Sequence, residues 1–176
     1  DAVFMTTRGG DRYDRTFMES FVRPGLDSAN WVSRANYPAQ GIVPTGETEM
    51  SIYIGRGMGQ GSAYLERLVL RTDGFASLRA DYGGGNLLTK PFWFAGSELQ
   101  INYSTSAAGN IRVGFEDEDN VMIEGFALID CDEIIGDHID RTVTWNGQSD
   151  VSKLASRSVR MRIAMKDADL YSFRFR

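Results

Sequence analysis

The stretch GFALIDCDEIIGDHIDR, residues 125–141, gathers five carboxylates, Asp130, Asp132, Glu133, Asp137 and Asp140, around the chain's single histidine, His138. Calcium takes about six to eight oxygens from carboxylates and carbonyls, and these acids could supply several, with Asp167 and Asp169 joining from elsewhere in the chain. Their spacing does not reproduce the D-x-D-x-D-G loop with its terminal glutamate. The same residues also suit turn capping, in which Asp accepts from nearby backbone N–H groups. In that reading Ile134 and Ile135 tuck inward before the Gly136-Asp137 turn, Arg141 offsets the acids, and His138 is a surface or hydrogen-bonded histidine. Cys131, the single cysteine, follows an apolar run and reads as a small buried filler. Alone it makes neither an intrachain disulfide nor a thiolate metal site.

A second charged cluster is RGGDRYDR, which supplies Arg8, Asp11, Arg12, Asp14 and Arg15, with Glu19, Glu47 and Glu49 further along. Glycosidic bonds are cleaved between two carboxyl groups about 5 to 9.5 Å apart, and a guanidinium fork holds a sugar hydroxyl or carboxylate. The competing reading is an alternating-charge loop whose ion pairs pin a sheet edge. Sugar binding needs flat aromatic surface beside polar groups. Trp145, beside an Asn-Gly turn, and Tyr82 are the expected platforms, with Trp31 and Tyr37 in irregular chain as further candidates. Trp93, between Phe92 and Phe94, reads instead as sheet or domain-interface core.

The elements that must carry these residues are short strands. EMSIYIGR alternates Met50, Ile52 and Ile54 against Ser51, Tyr53 and Gly55, a half-buried strand. YLERLVLR turns at Thr72-Asp73-Gly74 into FASLRADY. LLTKPFWF, ELQINYST, NIRVGFE, GFALI, RTVTW, VRMRIAMK and LYSFRFR follow, separated by Gly and Asp/Asn turns, and only residues 150–156 suit a helical turn. About nine short strands without crossover helices predict an all-β fold: an antiparallel β-sandwich with jelly-roll connections. The stretch from Asp11 to Thr48 is different, weakly periodic and punctuated by Pro24-Gly25, Pro38, Gly41 and Pro44-Thr45-Gly46. So long an irregular stretch is expected to wrap on a neighbouring domain. The expected organisation is therefore 1–61, a segment of short strands, and 62–176, the sandwich.

At 176 residues the chain can hold one substantial core, or one core with an appendage. A net charge of −5 offers no overall basic field for nucleic acid, so nucleic acid is not an expected partner. No apolar run approaches the roughly 18 to 20 residues that span a bilayer, and no membrane partner is expected. The chain opens on the strand-like Ala2 to Thr7 without an initiator methionine, which reads as a piece of something longer.

Taken together, FMTTRGGDRYDRTF, NWVSRANYPAQGIVPTGETEMSIY, LRTDGFASL, TKPFWFAG, STSAAGNIRV, DCDEIIGD and MKDADLYSFRF resemble the C-terminal portion of large bacterial glycoside-hydrolase-like proteins. In these a five-bladed β-propeller, similar to that of sucrose- and fructan-cleaving hydrolases and arabinosidases, precedes a β-sandwich. The resemblance implies that residues 1–61 form the last blade segment and that catalytic carboxylates of such propellers lie on earlier blades. It also implies a polysaccharide or oligosaccharide ligand, a propeller or second chain as partner, and a periplasmic or extracellular setting. The favoured expectation is a noncatalytic ancillary sandwich that stabilises a propeller and contacts carbohydrate. Its alternative is a part of an active cleft completed by another chain, using RGGDRYDR or Glu49. A third reading is a calcium-dependent lectin-like module. Oligomers are understandable in each, because a blade edge must be covered.

Overall fold

The computed structural model describes residues 1–34 and 36–176. The protein is all-β, with antiparallel sheets, an irregular N-terminal part of short strands, and a curled, sandwich-like sheet. It divides into two compact units, Asp1–Phe75 and Ala76–Arg176.

In the first unit β1 (Ala2–Val3) pairs with β2 (Ser20–Val22). Two further short strands, β3 (Tyr37–Pro38) and β4 (Val43–Pro44), pair with the central β5 (Glu49–Arg56), whose full length is matched by β6 (Tyr64–Arg71). Proline has no N–H to donate to a ladder, which suits Pro38 and Pro44 to edge strands. The expected division after residue 61 falls inside this unit, because the eight-residue β5–β6 pairing holds β6 to the first sheet. The alternation read in β5 is present, with Ile52 and Ile54 buried, but Ser51 on the opposite face is buried too and its hydroxyl lies 2.7 Å from that of Thr45. The apolar core here is small: Val22, Ile52 and Ile54, with Ala2, Leu68, Leu70 and Phe75 against it.

Much of the irregular chain is fastened by polar bonds instead. Arg56, buried, donates to Glu66 Oε2 at 2.6 Å, Asn36 Oδ1 at 2.6 Å and the carbonyls of Arg23 and Pro24 at 3.0 and 3.3 Å. Asn30, also buried, donates to Pro24 O and accepts from the Gly57 N–H. A buried guanidinium suits this role because its rigid fork satisfies several acceptors at once.

The second unit is built on two long strands, β9 (Leu99–Glu116) and β11 (Arg160–Phe175), preceded by the short β7 (Leu78–Ala80) and β8 (Gly85–Leu88). The sheet order is β10-β9-β11-β7, where β10 is Asp137–Thr142, and β8 also lies along β11. ELQINYST and NIRVGFE, expected as separate strands, are one strand, and so are VRMRIAMK and LYSFRFR. The reason is a bulge where turns were expected. Lys166 faces Asn110 while Ala168 faces Thr105, so residues 106–109 stand opposite Asp167. Asp167 takes a φ of 43°, and the small residues Ser106, Ala107, Ala108 and Gly109 let the pair bend without reversing. Each long strand thus contributes to both halves of the curled sheet.

Alternate residues of both strands point into one core: Leu99, Ile101, Tyr103, Ile111, Val113 and Phe115 from β9, with Met161, Ile163 and Met165 from β11. Phe94 stacks on Phe175 with centroids 3.8 Å apart. The helical turn read near residues 150–156 is a short 3-10 helix, Ser152–Leu154, that buries Leu154.

Gly109 is the steric weak point of the bulge. A methyl there would collide with the backbone carbonyls of Asp167 and Lys166. Gly109→Ala is expected to destabilise the second unit by about 1 to 3 kcal/mol, the usual range for overpacking, measured by denaturant unfolding. Gly125→Ala, with open space around it but φ at 80°, is the control that separates backbone conformation from collision.

Candidate functional site

The RGGDRYDR segment forms a small hairpin in the first unit. Thr6 and Asp14 exchange both backbone hydrogen bonds, at 3.0 and 2.7 Å, and Gly9 takes the left-handed φ of 85° that the turn requires. Between its arms lies a concavity of about 560 Å³ lined by Arg8, Asp11, Arg12, Tyr13 and Asp14 among others. The fold therefore brings four of the five expected cleft residues together. Glu49 is not among that lining. It lies in β5, where it accepts from Arg67 Nη2 at 3.1 Å and Thr45 Oγ1 at 3.2 Å.

Asp14 Oδ1 accepts from the Thr16 hydroxyl at 2.6 Å and the Thr16 N–H at 2.9 Å. These bonds, with Arg8 nearby, hold its carboxyl below the usual carboxylate range. A glycosidase general acid needs the opposite, a carboxyl kept protonated near neutral pH. Asp14 is thus suited to accept hydrogen bonds as a carboxylate rather than to deliver a proton.

The aromatic candidates separate by burial. Trp145 is 2 % exposed: its ring packs against Phe115 and Phe126, and its Nε1 donates to Val113 O at 2.8 Å. A sugar has no access to that ring, so the expected platform is a core residue. Its indole N–H has a structural partner that an Asn-Gly neighbour in the sequence does not reveal. Trp93, read as core, is 68 % exposed, because Phe92 and Phe94 on either side take the inward positions. Tyr82 is 64 % exposed, with Lys166 Nζ 4.1 Å from its ring centroid, so one ring face is engaged. Trp31 and Tyr37 are exposed in the first unit, and Trp31 Nε1 donates to Gly25 O at 2.8 Å at the end of a 3-10 turn capped by Asp27. Three consecutive apolar residues carry no alternation that would single out Trp93 as the outward ring.

The acidic corner is engaged in turn bonds. Asp132 Oδ2 accepts from Thr144 Oγ1 at 2.6 Å and the Gly147 N–H at 2.9 Å. Asp130 accepts from the Ala127 N–H at 3.1 Å, and Glu133 from Asn110 Nδ2 at 2.7 Å. Asp137 and His138 begin β10 opposite Ser104 and Tyr103, and the Tyr103 hydroxyl donates to Ile135 O at 3.0 Å. Asp140 is exposed where the β10–β9 register shifts. Among the described residues no group of three or more His, Cys, Asp or Glu side chains is placed to hold a metal ion. Cys131 is buried, where its sulfur accepts from the Val113 N–H at 3.2 Å, and burial pushes the thiol pKa up. Cys131 and Trp145 between them satisfy both backbone groups of Val113 with side chains.

The Thr144 and Gly147 bonds lower the Asp132 pKa from 3.8. With the folded pKa below the unfolded one, the stabilisation is complete above the unfolded pKa and lost as pH falls through the folded value. Asp132→Asn is therefore expected to flatten the pH dependence of the melting temperature below about pH 4. An unchanged acid limb would remove Asp132 from the turn's support.

No protein-family model, curated protein or solved structure matches this chain.

Proposed function

We propose that the chain is a noncatalytic ancillary β-module of a glycoside-hydrolase-like protein, one that packs against a β-propeller and contacts carbohydrate. The observation that carries this reading is the unequal apolar surface of the first unit. Its buried core is only three residues, yet Val3, Met5, Tyr13, Phe21 and Ile42 are all exposed, and they line a largely apolar groove of about 390 Å³ with Phe4, Phe75 and others. Phe4 stacks on Phe75 with centroids 5.1 Å apart at the groove, leaving preformed aromatic surface. An apolar concavity beside so small a core suits a protein partner. Among the described residues β6 pairs with β5 alone, which leaves it an edge strand of the kind a neighbouring sheet covers.

A propeller of the fructan-hydrolase kind is the partner this reading names. The test is sedimentation of the chain with a separately expressed five-bladed propeller of that class. A one-to-one complex weakened by Phe21→Ser is expected. Self-association of the chain without a mixed complex would transfer the groove to a second copy and sink the propeller assignment. The same reading places the protein in the periplasm or outside the cell. Among the described residues no helix is long and apolar enough to cross a membrane.

The hairpin concavity favours a second reading, in which Arg8, Asp11, Arg12 and Asp14 complete a substrate cleft of a neighbouring catalytic chain. Asp14→Asn in the assembled protein separates the two: unchanged kcat/KM supports the ancillary role, and a loss of tenfold or more supports the cleft. The calcium-dependent lectin reading has less behind it, since Asp130, Asp132 and Glu133 already accept bonds from the protein itself.

A further inference from the structure

Sheet edges invite pairing with another chain, and short strands, proline, charges and bulges are the ordinary means of preventing it. Among the described residues the other edges carry such guards. β3 and β4 are two residues long and each ends in proline. β7 has three residues and β8 four. β10 carries Asp137, His138, Asp140 and Arg141 and breaks register against β9. β6, YLERLVLR, differs: its eight residues pair with β5 in unbroken register and include no proline. Two of its charges are spent inside its own sheet, Glu66 on Arg56 and Arg67 on Glu49.

The direction of the backbone groups follows from the ladder. Opposed residues of an antiparallel pair alternate between hydrogen-bonded and non-hydrogen-bonded positions. The Thr72 N–H bonds to Thr48 O at 3.0 Å, one step beyond the Glu49–Arg71 pair, so the bonded positions of β6 are Leu70, Leu68, Glu66 and Tyr64. The far side of β5 agrees, since Glu49 O and Tyr53 O accept from the Thr45 and Ala39 N–H groups there. Leu65, Arg67 and Val69 therefore aim their N–H and C=O groups away from β5, on the side where β6 has no further strand among the described residues. Their side chains share one face. Leu65 and Val69 are both exposed on it, either side of Arg67.

We infer that β6 pairs antiparallel with the β6 of a second copy about a two-fold axis at Arg67, joining the two first-unit sheets into one. In that register the strand is its own complement. Leu65 stands opposite Val69 of the second copy, twice, so apolar side chains meet on one face. The three residues with outward backbone groups are the ones the symmetric ladder uses. One contact opposes the pairing, Arg67 against its own copy, and each guanidinium is offset by the Glu49 carboxylate 3.1 Å from its Nη2. Two-fold pairing consumes the edge on both copies and closes, giving a dimer instead of a fibre. A single strand pair is a small interface, so the dimer is expected to part at roughly micromolar concentration. This pairing does not depend on the propeller, whose groove uses Phe21 of β2; it supplies the neighbouring sheet for the β6 edge.

Sedimentation velocity of the full chain over about 1 to 200 micromolar is expected to show a monomer–dimer equilibrium and no larger species. Val69→Pro removes an N–H that β5 does not use, and symmetry deletes the bond at both ends, so the dimer should weaken about tenfold or more. Leu65→Lys guards the same edge with charge at an exposed site and should weaken the dimer without altering the backbone, which covers the case in which proline disturbs the strand. Amide exchange gives the residue-level result: the Leu65, Arg67 and Val69 amides should be slowed at high concentration and exchange freely on dilution, while those of Leu68 and Leu70 stay protected at both. A monomer throughout the range, or a dimer that survives both substitutions, would overturn the pairing. A dimer lost with Phe21→Ser but kept with Val69→Pro would move self-association to the groove. Open-ended growth of larger species would contradict a closed two-fold.

Discussion

Arg56→Met is expected to destabilise the Asp1–Phe75 unit by about 3 to 5 kcal/mol, the range for breaking a buried charged network. Glu66 is partly exposed, so its share of the ion pair is screened and modest. The larger cost comes from the acceptors left behind. The carbonyls of Arg23 and Pro24 and the Asn36 Oδ1 all take hydrogen bonds from the one Arg56 nitrogen, Nη1. Pro24 O keeps its bond from Asn30, so the loss falls on Arg23 O and Asn36 Oδ1, and each buried group left unsatisfied costs about 1 to 3 kcal/mol. Because this network ties Arg23, Pro24 and Asn36 to β5, the variant should also raise amide exchange at residues 23–34 before the sheet itself opens. Amide exchange in β5 and β6 reports the unit's unfolding, since two of the three tryptophans, Trp93 and Trp145, lie in the other unit. Arg56→Lys should recover only part of the loss, since an ammonium does not reproduce the fork. A loss below about 1 kcal/mol would mean that the segment is held by something other than these bonds.

Trp145→Ala is the counterpart in the second unit, with an expected loss of about 3 to 5 kcal/mol. The substitution empties space between Phe115 and Phe126 and removes the indole N–H bond to Val113 O. Trp145→Phe retains much of the apolar contact and isolates the indole N–H, for an expected loss of about 1 to 2 kcal/mol. The two units need separate unfolding probes, since a single transition cannot be assumed for a chain of two compact parts. Glycan affinity measured on folded Trp145→Phe should match the parent, because the ring does not reach solvent. A large selective loss of affinity without a loss of stability would return Trp145 to the binding surface.

The sequence was most readable where alternation was strict. EMSIYIGR and VRMRIAMK declare their buried faces residue by residue, and the absence of crossover-helix patterns fixes the antiparallel all-β class. What failed was continuity: small residues at 106–109 and the Asp167-Ala168-Asp169 run carry turn chemistry, yet here they absorb a bulge within two long strands. Local composition cannot distinguish a reversal from a bend when the deciding contact is the opposing strand, sixty residues away. Arg56 was equally hidden, since its acceptors are main-chain carbonyls and an asparagine far back in the sequence. The site residues divide in the same manner. Arg8, Asp11, Arg12 and Asp14 are neighbours in sequence and line one hairpin, whereas Glu49 lies apart in β5. Trp145 and Trp93 exchanged expected roles because side-chain direction, not residue type, decides which ring a ligand can reach.

Isothermal calorimetry of the chelator-treated chain against soluble polysaccharides tests the central claim most directly, since binding and turnover give different heat traces. A noncatalytic carbohydrate-contacting module predicts saturating injection heats that return to baseline, with no change on adding calcium. Sustained heat flow after each injection would show hydrolysis by the chain itself, and an absence of heat with every glycan would remove carbohydrate from its function.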